Sequence, residues 1–295
     1  MAANKLVNKA VPSLFIFCVA IIGMFFLLGG HANAASEAKY GTAVIPGVST
    51  APDVSYETPV RVAISDEECK AIIAQTWGSD AAARAHRVAE PDRSITAPFN
   101  YATQQNRQTS NYCGYMSEVS GQYGAQGTFN VRFNTTGHQA TWIGLGGINE
   151  VFQAGIDGMA GYRYAWIQFY PYGSPAYYYS VQQNDVINVS VGRDYLGNWV
   201  AIIYDVTSGQ YASESWSTVN ERTGAWIVEK VYPDQLGTFG TVQFSNCKWW
   251  NSGGTTYNIN QGTGYYYRTY IQSGGGTQVW PSTLSGGNSF TVTRN

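Results

Sequence analysis

The chain has 295 residues, 17 of them basic and 19 acidic, so 12% are charged and the net charge is −2. An ordinary soluble domain carries roughly 25%. This balance excludes the basic stripe of a nucleic-acid binder and the charge runs of coiled coils and charged disordered tails.

The charge is unevenly spread. Residues 1–34 carry Lys5 and Lys9 alone, residues 35–100 carry 15 charged side chains, and residues 101–295 carry 19. That last stretch also holds 20 of the 22 Tyr and eight of the nine Trp. A domain boundary is expected near residue 100.

Residues 1–34 read as a secretory signal peptide. Lys5 and Lys9 precede an apolar run from Val11 to Gly30, and Ala32-Asn33-Ala34 supplies small residues at a cleavage site. Pro12 and Gly29-Gly30 interrupt the run, which argues against the alternative of a retained anchor. The mature protein is expected outside the cell, away from the membrane. Cys18 leaves with the signal, and Cys69, Cys113 and Cys247 remain. Two of these can pair in an oxidising environment. If Cys69 lies in a removed segment, Cys113 and Cys247 are the natural couple; two buried free thiols are the alternative.

Residues 35–100 differ from the rest and suit a pro-segment, with an attached subdomain as the alternative. Pro, Ser and Thr open the stretch around Pro46 to Pro59. Ser65-Asp66-Glu67-Glu68 then has capping-box spacing, with acids in the first turn of a helix. Ile64 and Cys69 could staple it, Ala71-Ile72-Ile73-Ala74 supply its apolar face, and Gly78 is the expected stop. Asp80 to Glu90 suggests a second helix.

Residues 101–295 read as all-β. Phe129, Val131 and Phe133 alternate with polar neighbours. Tyr162, Tyr164, Trp166, Gln168 and Tyr170 line one face of a strand. Ile187, Val189 and Val191 keep the same period, as do Trp199, Ala201 and Ile203 after the turn at Gly197-Asn198. Further strands are expected from Tyr211 and over 225–231, 238–244, 265–271 and 289–293, with turns at Gly253-Gly254 and Gly274-Gly275-Gly276. Many short strands imply an antiparallel sandwich or barrel.

Little chemistry is available in such a domain. His is confined to His31, His86 and His138, and there is no C-x-x-C, so a metal site is not expected. No G-x-S-x-G, P-loop or dinucleotide fingerprint occurs. Of the ten acids past residue 101, Glu229 stands out. It lies in Ala225-Trp226-Ile227-Val228-Glu229-Lys230-Val231, an apolar strand that would desolvate a carboxyl and raise its pKa. Such a group suits acid–base work. An edge-strand acid facing water is the plainer alternative.

Several motifs, in order, resemble the glutamic peptidases, or eqolisins. Thr141-Trp142-Ile143-Gly144-Leu145-Gly146-Gly147 resembles their W-V-G-I-D-G signature, and Val151-Phe152-Gln153-Ala154-Gly155 their I-L-Q-T-G element. Ala165-Trp166-Ile167-Gln168-Phe169-Tyr170-Pro171 is similar to A-W-Y-E-W-Y-P, and Asp205-Val206-Thr207-Ser208-Gly209-Gln210 to N-L-T-T-G-Q. Ala225-Trp226-Ile227-Val228-Glu229 matches E-W-I-V-E, Asn111-Tyr112-Cys113-Gly114-Tyr115 resembles N-W-A-G-Y, and Ser289-Phe290-Thr291-Val292-Thr293 resembles the closing strand.

The resemblance implies an antiparallel β-sandwich of two curved sheets, concanavalin-like or jelly-roll-like. It implies a secreted acid endopeptidase acting as a monomer on polypeptides, without cofactor, metal or nucleic acid. Gln153 and Glu229 take the places of the catalytic pair. Trp142, Tyr170, Tyr172 and Gln168 fall at substrate-binding positions. Two acids of the family pattern are missing, at Gly146 and Gln168, and the link from Trp142 to Gln153 is about three residues shorter. Fewer like charges beside Glu229 are therefore expected. The alternative function is a glycan-binding or catalytically weakened module of the same fold, with Tyr177-Tyr178-Tyr179 and Tyr265-Tyr266-Tyr267 as stacking platforms.

Overall fold

The computed structural model describes residues 57–88, 93–94, 108–109, 111–133, 137–147, 149–159, 162–231, 236–262, 264–272 and 278–294. The expected leader over 1–34, Cys18, the proline-rich start of the next stretch up to residue 56, and the Gly274-Gly275-Gly276 turn lie outside the described residues. So do Glu90 and Asp234.

In chain order the elements begin with β1 (Arg61–Val62), α1 (Asp66–Trp77), α2 (Ser79–Arg84), β2 (His86–Arg87), β3 (Arg93–Ser94) and β4 (Gln108–Thr109). There follow β5 (Tyr112–Val119), β6 (Gln122–Asn130), β7 (His138–Gly146), β8 (Val151–Met159), β9 (Tyr162–Tyr170) and β10 (Ala176–Ser180). The chain continues through β11 (Val186–Arg193), β12 (Trp199–Asp205), β13 (Gln210–Trp216), β14 (Thr223–Lys230) and β15 (Gly240–Asn251). It ends with β16 (Thr256–Asn258), β17 (Gly264–Gln272), β18 (Gln278–Val279) and β19 (Phe290–Arg294).

Two sheets form the sandwich. One runs β1-β13-β12-β11-β6-β15-β16, with β19 on β15 and β2 on β13. The other runs β18-β17-β5-β14-β7-β8-β9-β10-β3, with β4 on β17. Pairing is antiparallel except for β2 with β13 and β4 with β17. Strand alternation sends Phe129, Val189, Ile203 and Phe244 of the first sheet against Ile143, Phe152, Ile167 and Trp226 of the second, forming one continuous core. Phe244 and Phe290 stack within it at 4.6 Å. The period-two readings over residues 187–191 and 199–203 thus identify strands and their core faces; over 129–133 the apolar residues enter the core but the strand ends at Asn130, and over 162–170 a strand forms whose core face is Ala165, Ile167 and Phe169, opposite the tyrosine-rich face.

The outer face of the first sheet is also apolar. Val200, Ile202, Tyr204 and Tyr211 point away from the core and would meet water. Cys69, Ile72 and Ile73 of α1 cover them. The helix begins as its sequence predicts: Ser65 accepts from the Glu68 amide, and the Glu68 carboxylate accepts from the Ser65 amide. Gly78 ends it at φ 98°, a value glycine adopts without strain. The second helix is shorter than expected. It stops at Arg84 because residues 86–87 leave to pair with β13. Trp77 stacks on Tyr204, the Cys69 thiol lies 3.1 Å from the Ser213 hydroxyl, and Arg61 pairs with Glu214 at 3.0 Å. Residues 55–295 accordingly form one compact unit.

The expected couple of Cys113 and Cys247 is corrected: both are free, buried thiols. Cys113 lies on β5 and donates to the Val279 carbonyl at 3.3 Å; Cys247 lies on β15 of the opposite sheet and donates to the Ser245 carbonyl at 3.6 Å. Each thiol thus has its own backbone acceptor, and burial pushes both well above the usual thiol range.

If α1 is an integral cover, deleting its buried anchor will be expensive. Ile73, fully buried, changed to Ala is expected to lower unfolding stability by about 2–4 kcal/mol. Urea denaturation will measure this; a loss below about 0.5 kcal/mol would show that α1 is not docked.

Candidate active site

The outer face of the second sheet carries the unusual chemistry. On β14, Trp226 and Val228 enter the core, so Ala225, Ile227 and Glu229 face outward. On β7, Ile143 and Leu145 go in while Ala140 and Trp142 face out. On β8, Phe152, Ala154 and Ile156 go in, which turns Gln153 and Asp157 outward. On β9, Ala165, Ile167 and Phe169 go in, turning Trp166 and Gln168 outward. Four adjacent strands thus put Glu229, Trp142, Gln153 and Gln168 on one face.

Glu229 is 1% exposed. Its Oε2 accepts a hydrogen bond from the Trp142 indole Nε1 at 2.7 Å, and its Oε1 faces Asn111 Nδ2 at 3.5 Å. Burial pushes its carboxyl up to about 8; the Trp142 bond opposes this and the Asp157 charge adds to it. The expected desolvation is therefore present. The expected scarcity of like charge is only partial, because Asp157 stands on the same face.

Gln153 is fully buried. Its Nε2 donates to Gln168 Oε1 at 3.1 Å, and Gln168 Nε2 donates to the Gly173 carbonyl at 3.1 Å. This chain of bonds fixes both amides. A carbonyl at Gly173 can only accept, so Gln168 must turn its nitrogen there and its oxygen to Gln153. Gln153 then presents one N–H to Gln168 and keeps a second. Its Oε1 is buried and accepts no hydrogen bond among the described residues.

The β7–β8 ladder makes room for these side chains. Gly155 lies opposite Trp142, and a Cβ there would sit 2.6 Å from the Trp142 Cβ. Gly144 lies opposite Gln153, and its Cβ would sit 2.9 Å from the Gln153 Cβ. Gly146 differs. A Cβ there would overlap the Glu150 carbonyl and Val151 Cγ2, so the position of the missing family acid is already filled. Along β7, Glu229 is opposite Ala140 and Gln153 opposite Gly144, with Trp142 midway.

Tyr170 ends β9 on this face, opposite Val151. Tyr172 does not join it: its ring meets Phe169, a core residue, edge-on at 5.0 Å. The tyrosine platforms fail as glycan sites in part. Tyr177, Tyr178 and Tyr179 are buried, as is Tyr267, leaving Tyr265 and Tyr266 exposed. Sequence reasoning passed over Asp157, His138 and Asn111 as site neighbours. The signal for Asp157 was available, since it follows Gln153 by four residues on one strand and so shares its face.

The peptidase A4 family model matches residues 110–294. No curated protein sequence matches the chain. Among solved structures, scytalido-glutamic peptidase with a peptide-based transition-state analogue aligns at TM-score 0.54 and 19% identity, over 63% of this chain and 98% of that one. The eqolisin SCP-B, in complex with the tripeptide Ala-Ile-His, aligns at TM-score 0.51 and 17% identity over the same shares. These two likenesses show a common fold. Among the described residues, no helix is long and apolar enough to cross a membrane, and no cluster of His, Cys, Asp or Glu could hold a metal ion.

The buried carboxyl has a consequence for stability. Folding raises the proton affinity of Glu229, so its contribution is fully present below the ordinary Glu range and is lost as pH rises towards about 8. Glu229→Gln should therefore stabilise the protein at pH 8 relative to the parent, on the order of a few kcal/mol, with the difference vanishing near pH 4. Paired urea titrations at both pH values measure it; equal differences at the two would contradict a buried, protonated Glu229.

Proposed function

The chain belongs to the peptidase A4 family and is a peptide hydrolase, and from that premise we propose that Glu229 and Gln153 carry its chemistry, in a secreted endopeptidase. One observation carries this reading: a carboxyl fully desolvated against Trp142 shares a sheet face with an amide whose orientation is locked.

In this scheme the Glu229 carboxylate takes a proton from a water as its oxygen bonds to the scissile carbonyl carbon. The carbonyl oxygen becomes an oxyanion and accepts the free N–H of Gln153. The C–N bond then breaks, and Glu229 returns the proton to the leaving amine. The raised proton affinity of Glu229 favours the second half of the cycle and makes the first half the pH-sensitive one. Gln153 stays an N–H donor at every acidic pH, as a second carboxyl would not.

Trp142 supports the reading by aiming the carboxylate, and Tyr170 by bounding the face beyond Gln168. The leader-like residues 1–34 support export. The low charge of residues 101–295 supports service in acid, where fewer carboxylates must be protonated.

Denatured casein, incubated across pH 2–7 with a metal chelator present, is expected to be cleaved, faster towards the upper end of that range as more Glu229 is a carboxylate. Glu229→Gln should abolish cleavage, and Gln153→Ala should lower kcat by about 10²–10³. Activity retained in Glu229→Gln would overturn the assignment. The support for Gln153 is separately testable. Gln168→Met keeps the size but removes the acceptor; kcat should fall by about fivefold with KM little changed, the loss expected for one neutral orienting bond of about 1 kcal/mol. A rise in KM alone would make Gln168 a substrate contact instead.

A further inference from the structure

A second titratable group lies on the face that carries Glu229. Ala140 on β7 is the cross-strand partner of Glu229 on one side and of Asp157 on the other. All three face outward, so only the Ala140 methyl stands in line between the two carboxyls. At about 4.8 Å per strand their Cα atoms are about 10 Å apart. This is closer in register than Gln153, whose partner Gly144 lies four residues further along β7.

Asp157 is held on both oxygens. His138 Nε2 lies 2.6 Å from Oδ1, and the Tyr177 hydroxyl donates to Oδ2 at 2.7 Å. The His138–Asp157 pair is 14% and 13% exposed, so its field is weakly screened. The groups facing Asp157 are thus His138 from β7, Tyr164 opposite it on β9, Tyr177 from β10 and Glu229 from β14. Glu229 is faced by Tyr112 from β5, Trp142 from β7 and Asp157 from β8.

We propose that Asp157 is a positioning residue for the reaction at Glu229: its carboxylate, held by His138 and Tyr177 in line with Glu229 across Ala140, sets the pH at which Glu229 gives up its proton. The sign follows from charge. A bare Asp157 carboxylate opposes ionisation of Glu229. Gln168 and Gly146 are neutral, so Asp157 is the carboxylate with which Glu229 interacts. The reading of Glu229 as catalytic underlies the kinetic half of this inference, whereas the electrostatic half stands without it.

The experiment follows Glu229 directly. Protein labelled with 13C at the glutamate carboxyl is titrated by NMR, and the Glu229 resonance is assigned by its loss in Glu229→Gln. In Asp157→Asn the midpoint should move down by about one pH unit, the effect of a unit charge about 10 Å away at an effective dielectric near 20. In Asp157→Glu, which keeps the charge, it should stay close to the parent value. The Glu229 limb of kcat/KM should move with each midpoint. An unchanged or raised midpoint in Asp157→Asn, or an equal fall in Asp157→Glu, would overturn the proposal. If Asp157→Asn does not fold, Asp157→Ser, which also removes the charge, decides in its place. Midpoints that move as expected in a protein that cleaves no peptide would sustain the electrostatic link and remove the catalytic reading.

Discussion

The hydrogen bond from the Trp142 indole to the Glu229 carboxylate is the contact around which the site is built. A carboxyl on this sheet face has lost its water, and one strong neutral donor replaces it. That donor favours the ionised form, while burial and Asp157 favour the acid form. The balance leaves a group able to hold a proton and to release it, which a shuttle between water and an amine requires. A cation in place of Trp142 would fix Glu229 as a carboxylate; no donor at all would fix it as an acid.

The need for that donor propagates outward. The indole must lie across β7 towards β14, so the residue opposite on β8 is Gly155, without a side chain. Gln153 is likewise set against Gly144. Its amide is then oriented by Gln168 and Gly173, through neutral groups throughout. A buried polar relay of this kind is stable only if every member is satisfied. The unsatisfied atom here is Gln153 Oε1, at the amide proposed for the oxyanion role. The family acid missing at Gly146 could not be restored without moving Val151, because the two positions share one volume.

Much of this was legible in the sequence, because period-two alternation reports directly which strand face is apolar. It identified the strands of residues 187–191 and 199–203, the core face of residues 129–133 though β6 stops at Asn130, and the capping box of α1, since these signals are local. The site pair came from ordered motifs, not from periodicity, which alone left Glu229 as an edge acid. What was hidden is non-local. The pairing of β1 and β2 with β13, and of β3 with β10, joins segments far apart in sequence through strands of two residues, too short to show a period. The separation of Cys113 and Cys247 onto opposite sheets, each with its own carbonyl acceptor, is equally invisible in their spacing. The placing of Asp157 beside Glu229 is non-local too, since it depends on β8 and β14 both pairing with β7, and the nearby Gly155 and Gly158 serve as close-approach positions within β8.

The outer face of the first sheet limits how the N-terminal stretch can be used. Val200, Ile202, Tyr204 and Tyr211 are buried under α1, and each would be uncovered if residues 57–88 departed. At about 1.5–3 kcal/mol per large apolar side chain, that exposure would cost much of a domain's net stability. Polar ties go with it: Arg61 to Glu214, Tyr211 to Asp66, and Arg87 to the Ile64 carbonyl. The α1 segment completes a core on that face. Processing within residues 35–100 is therefore compatible with the described sandwich where the α1 segment stays bound, whether or not the chain beside it is cut.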